Sequence, residues 1–228
     1  GLRVLPAASL LRPDGFAPET GSANDGCVMF TTSGTTSKPK LVLHVQRSIA
    51  AHAQDTARAL GYTVPGSVIE VVTPLCGVSG FGMPFAAIAA RAPCGLSPTF
   101  DESHVIDAID KNRVTHIHAN HQIIRRLLDA LNDGADISSL RAINCGSGMA
   151  GLIARAEARG MTLQSVYGSS ELQARFSRQR MDIGPERRIE AGGFPLSPQA
   201  KVRVTDVDTG RVLPHGEKGE IEVNAPSG

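Results

Sequence analysis

The most informative part of the sequence is the stretch Thr31-Thr32-Ser33-Gly34-Thr35-Thr36-Ser37-Lys38-Pro39-Lys40. It holds six hydroxyl side chains, one glycine and two lysines. Backbone N–H groups and hydroxyls can surround an anion, and lysine adds positive charge. Residues 27–30 predict a short buried strand before it, and the Ala-rich residues 41–60 predict a helix after it. We therefore interpret the stretch as a polyphosphate-binding loop between a strand and a helix, with a plain polar surface loop as the alternative.

Two better-known phosphate loops do not fit this stretch. A Walker loop requires a glycine, four residues, and then Gly-Lys followed by serine or threonine. Counted from Gly34, the second glycine would fall at Pro39, and Leu41 stands where the metal-binding hydroxyl is required. A dinucleotide fingerprint requires several glycines, and Gly34 is alone. A phosphohydrolase of the Walker class is therefore disfavoured.

Composition narrows the class of protein. The 228 residues carry a formal net charge of +1, only 4% are aromatic and none is tryptophan, which disfavours nucleic-acid binding. The sequence has no apolar run near the roughly 20 residues of a membrane span, and no visible signal peptide. Cytoplasmic location is therefore expected. Cys27, Cys76, Cys94 and Cys145 form no paired motif, which predicts buried free thiols in a reducing compartment.

The order of apolar segments predicts an α/β fold. Strand-like segments near residues 67–72, 94–97, 114–118, 140–145 and 163–166 alternate with helical segments near 84–91, 102–112, 121–131 and 150–159. This alternation predicts a mostly parallel sheet with helices on both faces. After about residue 187, short strands at 201–204 and 220–223 predict a small β subdomain. We divide the chain into a lead-in (1–25), an α/β nucleotide-binding subdomain (26–186) and an incomplete β subdomain (187–228).

The hydroxyl-rich stretch resembles the Thr-Ser-Gly-Thr-Thr-Gly-x-Pro-Lys-Gly loop of the adenylate-forming superfamily, which includes acyl-CoA synthetases and aryl-CoA ligases. The chain departs from that pattern at Ser37 and Leu41, where the family usually has glycine. The resemblance implies phosphate binding by the matching residues, which are Thr32, Ser33, Gly34, Thr35, Thr36 and Lys40.

A second motif, Tyr167-Gly168-Ser169-Ser170-Glu171, follows a predicted strand. Strand ends are where open α/β sheets bind ligands, although plain turn chemistry is the alternative. The motif resembles the family's Tyr-Gly-x-Thr-Glu signature. The resemblance implies that Tyr167 packs on adenine, Ser170 meets the α-phosphate and Glu171 holds Mg²⁺. Mg²⁺ prefers a hard carboxylate together with phosphate oxygens.

A third motif, Gly146-Ser147-Gly148, ends another predicted strand and resembles the Gly-rich turn that lies against adenine in the family. A tight strand-to-helix turn is the alternative. Residues 192–195 and 213–223 resemble the family's Gly-x-Pro turn and its Leu-Pro-x-Gly-x-x-Gly-Glu hairpin. These five segments occur in the same order as in the family, so a chance resemblance is not expected. The family continues to a ribose-binding aspartate and a mobile C-terminal domain, which we expect to be absent from these 228 residues.

The acyl pocket is expected near Cys76, Gly77, Asn120 and His121. The polar strand end around His116 and His118 admits three interpretations: a polar acyl or aryl substrate, a metal site, or histidines without a ligand. Arg175 and Arg178 could pair with a substrate anion, but surface arginines are the favoured interpretation.

The resemblance implies ATP- and Mg²⁺-dependent activation of a carboxylic acid as an acyl-adenylate, with coenzyme A as the expected acceptor. Lys40, Ser170 and Glu171 would be the catalytic residues. The alternative is a non-catalytic nucleotide-binding or interaction module. It is suggested by the departures at Ser37 and Leu41 and by the expected absence of the ribose aspartate and of the catalytic lysine that the family's C-terminal domain carries. The expected partners are a carboxylic acid and no nucleic acid, with homo-oligomerisation left open.

Overall fold

A computed structural model describes residues 21–32, 39–97 and 99–226. The strands are β1 (Gly26–Thr32), β2 (Lys40–Val45), β3 (Ile69–Val71), β4 (Cys94–Leu96), β5 (His116–His118), β6 (Ala142–Cys145), β7 (Leu163–Tyr167), β8 (Ser177–Arg178), β9 (Phe194–Pro195), β10 (Lys201–Thr205) and β11 (Glu220–Asn224). The helices are α1 (Gln46–Ala59), α2 (Val78–Ala90), α3 (Glu102–Asn112), α4 (His121–Ala130), α5 (Ala150–Ala158) and α6 (Pro185–Arg188). In the ranges described, no helix combines the length and apolar character needed to cross a bilayer.

Seven strands form the central sheet in the order β4-β3-β5-β6-β7-β8-β9. The first five are parallel to their neighbours, and β8 and β9 are added antiparallel. The strands β3, β5 and β6 are buried along their whole length, as expected for parallel strands covered on both faces. The predicted α/β fold with a mostly parallel sheet is confirmed.

Helices cover both faces of this sheet. On one face, buried side chains of α3, α4 and α5 pack against Ile117 of β5 and Ile143 of β6. On the other face, α1 and α2 pack against Ile69 and Val71 of β3. Burial on alternate sides of each strand follows from the two-residue period of β structure.

The segment after the hydroxyl-rich stretch differs from the prediction. Residues 41–45 belong to β2, which pairs antiparallel with β1 so that Thr32 faces Lys40, and the helix begins only at Gln46. The predicted buried strand at 27–30 is also wrong in its burial, because only Phe30 of those residues is buried. The two strands form a separate ribbon, and one of its faces remains exposed.

The last part of the chain contains the second ribbon, in which β10 and β11 pair antiparallel. The turn after β10 is closed by Asp206, whose carboxylate accepts a hydrogen bond from the backbone N–H of Thr209 at 2.8 Å. β9 follows the boundary predicted at residue 187 and still pairs with β8 of the central sheet. The domain boundaries remain predictions.

The four cysteines are free thiols. Cys145 is buried and Cys94 is half-buried, but Cys27 and Cys76 are exposed. The prediction of buried thiols is therefore wrong for those two. Cys27 lies on the exposed β1 ribbon, and Cys76 lies in the loop before α2, so neither position is covered by the core.

A polar layer lies between the central sheet and the helices α1 and α2. The Nε2 atom of His52 lies 2.8 Å from the Arg175 backbone carbonyl, and the ring of His116 packs against Tyr62 at 5.0 Å between centroids. Burial is the main cause that lowers the pKa of His52 and of His116 from 6.5 to about 4. Both imidazoles are therefore neutral in the folded chain near neutral pH.

Stability is expected to fall as the pH is lowered from about 6.5 to 4. The unfolded chain, in which these histidines regain an ordinary pKa near 6.5, binds more protons in that window. The contribution of these histidines to the free energy of unfolding is fully present above pH 6.5. It is lost as the pH falls, and the loss amounts to roughly 3 kcal/mol per histidine below pH 4. Urea unfolding of the wild type and His52→Gln at pH 7 and 4.5 measures this loss. The variant should lose about 2 kcal/mol less than the wild type between the two pH values. His215→Gln, at an exposed position, is the control, and equal losses in all three proteins would contradict the prediction.

Candidate nucleotide-binding site

The β1–β2 ribbon lies next to the Tyr167–Glu171 motif. His44 of β2 is buried, and its Nε2 atom lies 2.9 Å from the backbone carbonyl of Ser170. Phe30 of β1 packs edge-on against Phe81 of α2, with 5.3 Å between ring centroids. These two contacts fix the ribbon against both the motif and the helix layer.

A cleft of about 570 Å³ opens where the ribbon meets the motif. Thr31, Thr32, Pro39 and Ser170 line it. Lys40 is exposed and directly faces Thr32 across the ribbon. The other predicted phosphate-binding residues, Ser33, Gly34, Thr35 and Thr36, lie outside the described residues. The described ends of the stretch therefore line the cleft together with Ser170 of the motif.

The two remaining predicted segments meet at one edge of the central sheet. Residues 146–148 follow β6 and Tyr167 ends β7, and these strands are parallel neighbours in which Cys145 pairs with Ser165. Both segments therefore leave at the carboxyl edge, where ligands bind in such folds. The hydroxyl-rich stretch, by contrast, follows β1 of the separate ribbon and not a strand of this sheet.

The surface around residues 146–148 is open. Gly146, Ser147 and Gly148 are exposed, and a Cβ atom added to either glycine would meet no atom within 4 Å. Gly148 has φ +88°, a backbone conformation that favours glycine. Tyr167 keeps 44% of its surface exposed. A flat ring could rest here without displacing a side chain.

Glu171 is exposed and ionised at neutral pH. Hydrogen bonds from its own backbone N–H and from the Ser169 hydroxyl lower the pKa of its carboxyl group, and the positive charge of Lys40 lowers it further. No cluster of three or more His, Cys, Asp or Glu side chains that could hold a metal occurs among the described residues. A single carboxylate next to Ser170, which lines the cleft, still fits Mg²⁺, which typically takes one or two carboxylates and completes its shell with phosphate oxygens and water.

The expected acyl-pocket residues lie at two helix starts. Cys76 and Gly77 are exposed just before α2, and Gly77 is its N-cap. His121 is exposed at the first position of α4. Asn120 caps α4, because its side-chain oxygen accepts a hydrogen bond from the Ile123 backbone N–H at 2.9 Å. That oxygen is already engaged in the helix cap.

Arg175 and Arg178 are not the exposed surface arginines that were predicted. Arg175 has no exposed surface, and Arg178 is half-buried with a buried Nε atom that has no partner among the described residues. His116 and His118 are also buried. The backbone explains the burial of Arg175, because Gln173 and Ala174 both adopt positive φ angles, of 53° and 66°, and turn the chain inward. Such angles are uncommon for residues with side chains, so the sequence gives little signal for them.

A further cleft, of about 690 Å³, lies at the opposite edge of the sheet. His116, Ala142 and Gln164, near the amino ends of β5, β6 and β7, line it together with four arginines. His116 and Arg178 line this cleft, but no residue of the three predicted nucleotide-binding motifs is among the described residues that line it. The candidate nucleotide site is therefore the smaller cleft, to which Thr32 and Ser170 of the motifs contribute.

Comparison with known proteins identifies related chains. The family model described as "AMP-binding enzyme" matches residues 4–227. Pyochelin synthase PchD of Pseudomonas aeruginosa is 30% identical, over 96% of this chain and 40% of its own length. Indoleacetate--CoA ligase of Aromatoleum aromaticum is 29% identical, over 92% of this chain and 41% of its own length.

A solved structure shares the fold. ATP-bound MatB from Rhodopseudomonas palustris superimposes with a TM-score of 0.79 at 24% identity, over 96% of this chain and 43% of that one. The chain thus spans about two fifths of the length of the curated relatives it matches.

Proposed function

The chain belongs to the family of AMP-binding enzymes, and on that premise we propose that it forms the nucleotide-binding part of an enzyme that activates a carboxylic acid with ATP. The observation that carries this proposal is the convergence of three segments. Thr32 and Pro39 at the ribbon end line one cleft together with Ser170, Lys40 pairs with Thr32 in the ribbon, and the turn at 146–148 leaves the same sheet edge as Tyr167.

In this proposal the substrate carboxylate attacks the α-phosphorus of ATP. The bond to the β-phosphate oxygen breaks, and acyl-adenylate and pyrophosphate result. Thr32 and Lys40 contact the departing phosphates, and Lys40 balances their charge. The hydroxyl group of Ser170 donates a hydrogen bond to an α-phosphate oxygen. Such chemistry depends mainly on positioning and charge stabilisation, which are the properties of fixed donors and cations.

Two further groups bind in the proposed site. Glu171 would hold Mg²⁺, whose chemistry when bound is to neutralise phosphate charge. The adenine ring lies between the open turn at 146–148 and the exposed face of Tyr167. Gly168 and Ser169 shape the backbone that presents Ser170.

The same proposal includes coenzyme A as the acceptor of the acyl group and a cytoplasmic location.

The test is acid-dependent exchange of labelled pyrophosphate into ATP, measured on the full-length protein with a panel of carboxylic acids. At least one acid should support exchange, because adenylate formation is reversible. Calorimetric titration of ATP into the 228-residue chain, with and without Mg²⁺, measures binding separately. Mg²⁺-dependent ATP binding without exchange for any acid would favour the non-catalytic nucleotide-binding module.

A further inference from the structure

The side chain of Arg175 presents a buried positive charge without a matching acid. Its Nη2 atom donates to the backbone carbonyl of Ser79, while Nε and Nη1 are buried and have no hydrogen-bond partner among the described residues. No ion pair involves this side chain in the part of the chain that the structure describes. Burying a charge that lacks a partner is costly, so a group that supplies an acceptor oxygen would be bound favourably.

Two other side chains with unused polar atoms belong to neighbouring strands. The Nδ1 atom of His118, in β5, and the Oγ1 atom of Thr73, just after β3, are buried and have no partner among the described residues. β3 and β5 are parallel neighbours, so both side chains lie toward the carboxyl edge of the sheet. Burial, followed by the charge of Arg175, holds the pKa of His118 well below 6.5, so its imidazole is neutral. Two nitrogen atoms of one cation and one atom of each of two neutral side chains are therefore unpaired among the described residues.

The unused donors of Arg175 face the start of α2. A Cβ atom added to Gly82 would lie 3.3 Å from Nη1, and Ser79, whose carbonyl binds Nη2, is in the first turn of that helix. Gly77, expected in the acyl pocket, caps the same turn. Arg175 therefore lies directly behind the wall of the expected acyl pocket, five residues after Ser170.

The local backbone is arranged to keep this side chain inside. Gln173 and Ala174 both have positive φ angles, which carry strain for residues other than glycine. His52 holds the following turn by its contact with the Arg175 backbone carbonyl. Strain of this kind persists where the surroundings fix it, and it is often found at ligand sites.

We propose that Arg175, together with the unpaired atoms of His118 and Thr73, binds a second acidic oxygen group, a carboxylate or a ring hydroxyl, at the far end of the carboxylic acid that the enzyme activates. This inference rests on the proposed function. In this proposal the reacting carboxylate is held near Ser170. Because Arg175 has no exposed surface and is bonded to the Ser79 carbonyl, the binding of the second group requires the first turn of α2 to move. Acids without the second group leave the guanidinium unpaired, and sites built to hydrogen-bond a substrate strongly reject analogues that lack the bonding group.

The experiment compares matched acids in pyrophosphate exchange by the full-length protein. The pairs are benzoate with 2-hydroxybenzoate, benzoate with benzene-1,3-dicarboxylate, and hexanoate with hexanedioate. The wild type should prefer a member with the second group by about 10²-fold or more in kcat/KM. The hydroxyl and carboxylate pairs show which oxygen group is preferred.

The variants Arg175→Met and Arg175→Lys separate recognition from folding. Arg175→Met should lower kcat/KM for the preferred acid by about 10²-fold and change that of its simple partner less than about 3-fold, while Arg175→Lys should retain part of the preference. Arg180→Met, which removes an exposed arginine paired with Asp182, is the matched control. Thermal unfolding reports whether each variant is folded, and Arg175→Lys carries the test if Arg175→Met is not.

The outcomes are distinct for the two proposals. Exchange confined to the simple acids, or an equal loss for both members of a pair in Arg175→Met and Arg175→Lys, would overturn this inference and leave the proposed function standing. Absence of exchange with every acid would overturn the proposed function, and this inference with it.

Discussion

Replacing Glu171 with alanine is expected to reduce acid-dependent pyrophosphate exchange by about 10²-fold or more in the full-length protein. The carboxylate is exposed beside the cleft lined by Thr32 and Ser170, and its lowered pKa keeps it ionised. It is therefore placed to hold the divalent cation that neutralises phosphate charge. Exchange is measured at saturating ATP and acid, so that weaker binding does not hide the loss of rate.

Two further variants sharpen this test. Glu171→Gln keeps the shape of the side chain and removes its charge, so it should lose nearly as much exchange as the alanine variant. Glu186→Ala removes an exposed glutamate of α6 away from the cleft and should be close to wild type. In calorimetry, Glu171→Ala should abolish most of the Mg²⁺-dependent part of ATP binding. Exchange near the wild-type rate in Glu171→Ala would show that the carboxylate has no such role.

The parallel sheet was predictable because the apolar residues of strands and of helices recur at different spacings in the sequence. The apolar face of α3, with Val105, Ile106 and Ile109, shows the helical spacing directly, and the structure bears out the predicted residues 102–112. Short strand-like segments that alternate with such helices fit few architectures other than a covered parallel sheet. These signals are local, so one sequence is enough to show them.

The strand β2 was missed because its burial pattern is the reverse of that of an ordinary strand. Leu41 and Leu43 are 67% and 57% exposed, while the polar His44 is buried. A search for buried apolar residues therefore finds no strand period, and the Ala-rich continuation suggested a helix. The burial of His44 depends on its contact with Ser170, which is 126 residues away in the chain. Such a long-range contact leaves no local pattern in the sequence.

The position of Arg175 could not be predicted for a related reason. Arginine is mostly exposed in proteins, and the residues around this one carry no apolar period that would indicate burial. Its inward direction follows from two successive positive φ angles and from the packing of α2 above it. By contrast, the roles at Tyr167 and Ser170 were proposed from a motif, and the structure brings that motif to the cleft while leaving the roles themselves to experiment.

Replacing Gly168 with alanine is expected to destabilise the chain by about 3 kcal/mol and to abolish most nucleotide binding. A Cβ atom there would lie 2.5 Å from the carbonyl carbon of Ala174 and 2.7 Å from the backbone nitrogen of Arg175. These neighbours are backbone atoms, so they cannot rotate away, and the turn that carries Ser170 and Glu171 must open. Urea unfolding measures the stability, and calorimetry with ATP and Mg²⁺ measures the binding.

Gly146→Ala is the matched control, because it adds the same methyl group to another glycine of the proposed site. A Cβ atom at Gly146 would meet no atom within 4 Å, so stability should be unchanged or higher by up to about 1 kcal/mol through the less flexible unfolded chain. ATP affinity should nevertheless fall about 10-fold, since the methyl group occupies the open surface on which adenine is proposed to rest. The two variants therefore distinguish a loss of folded structure, in Gly168→Ala, from a loss of contact with adenine, in Gly146→Ala. A stable Gly168→Ala would contradict the close packing in the turn, and unchanged ATP affinity in Gly146→Ala would contradict the position proposed for adenine.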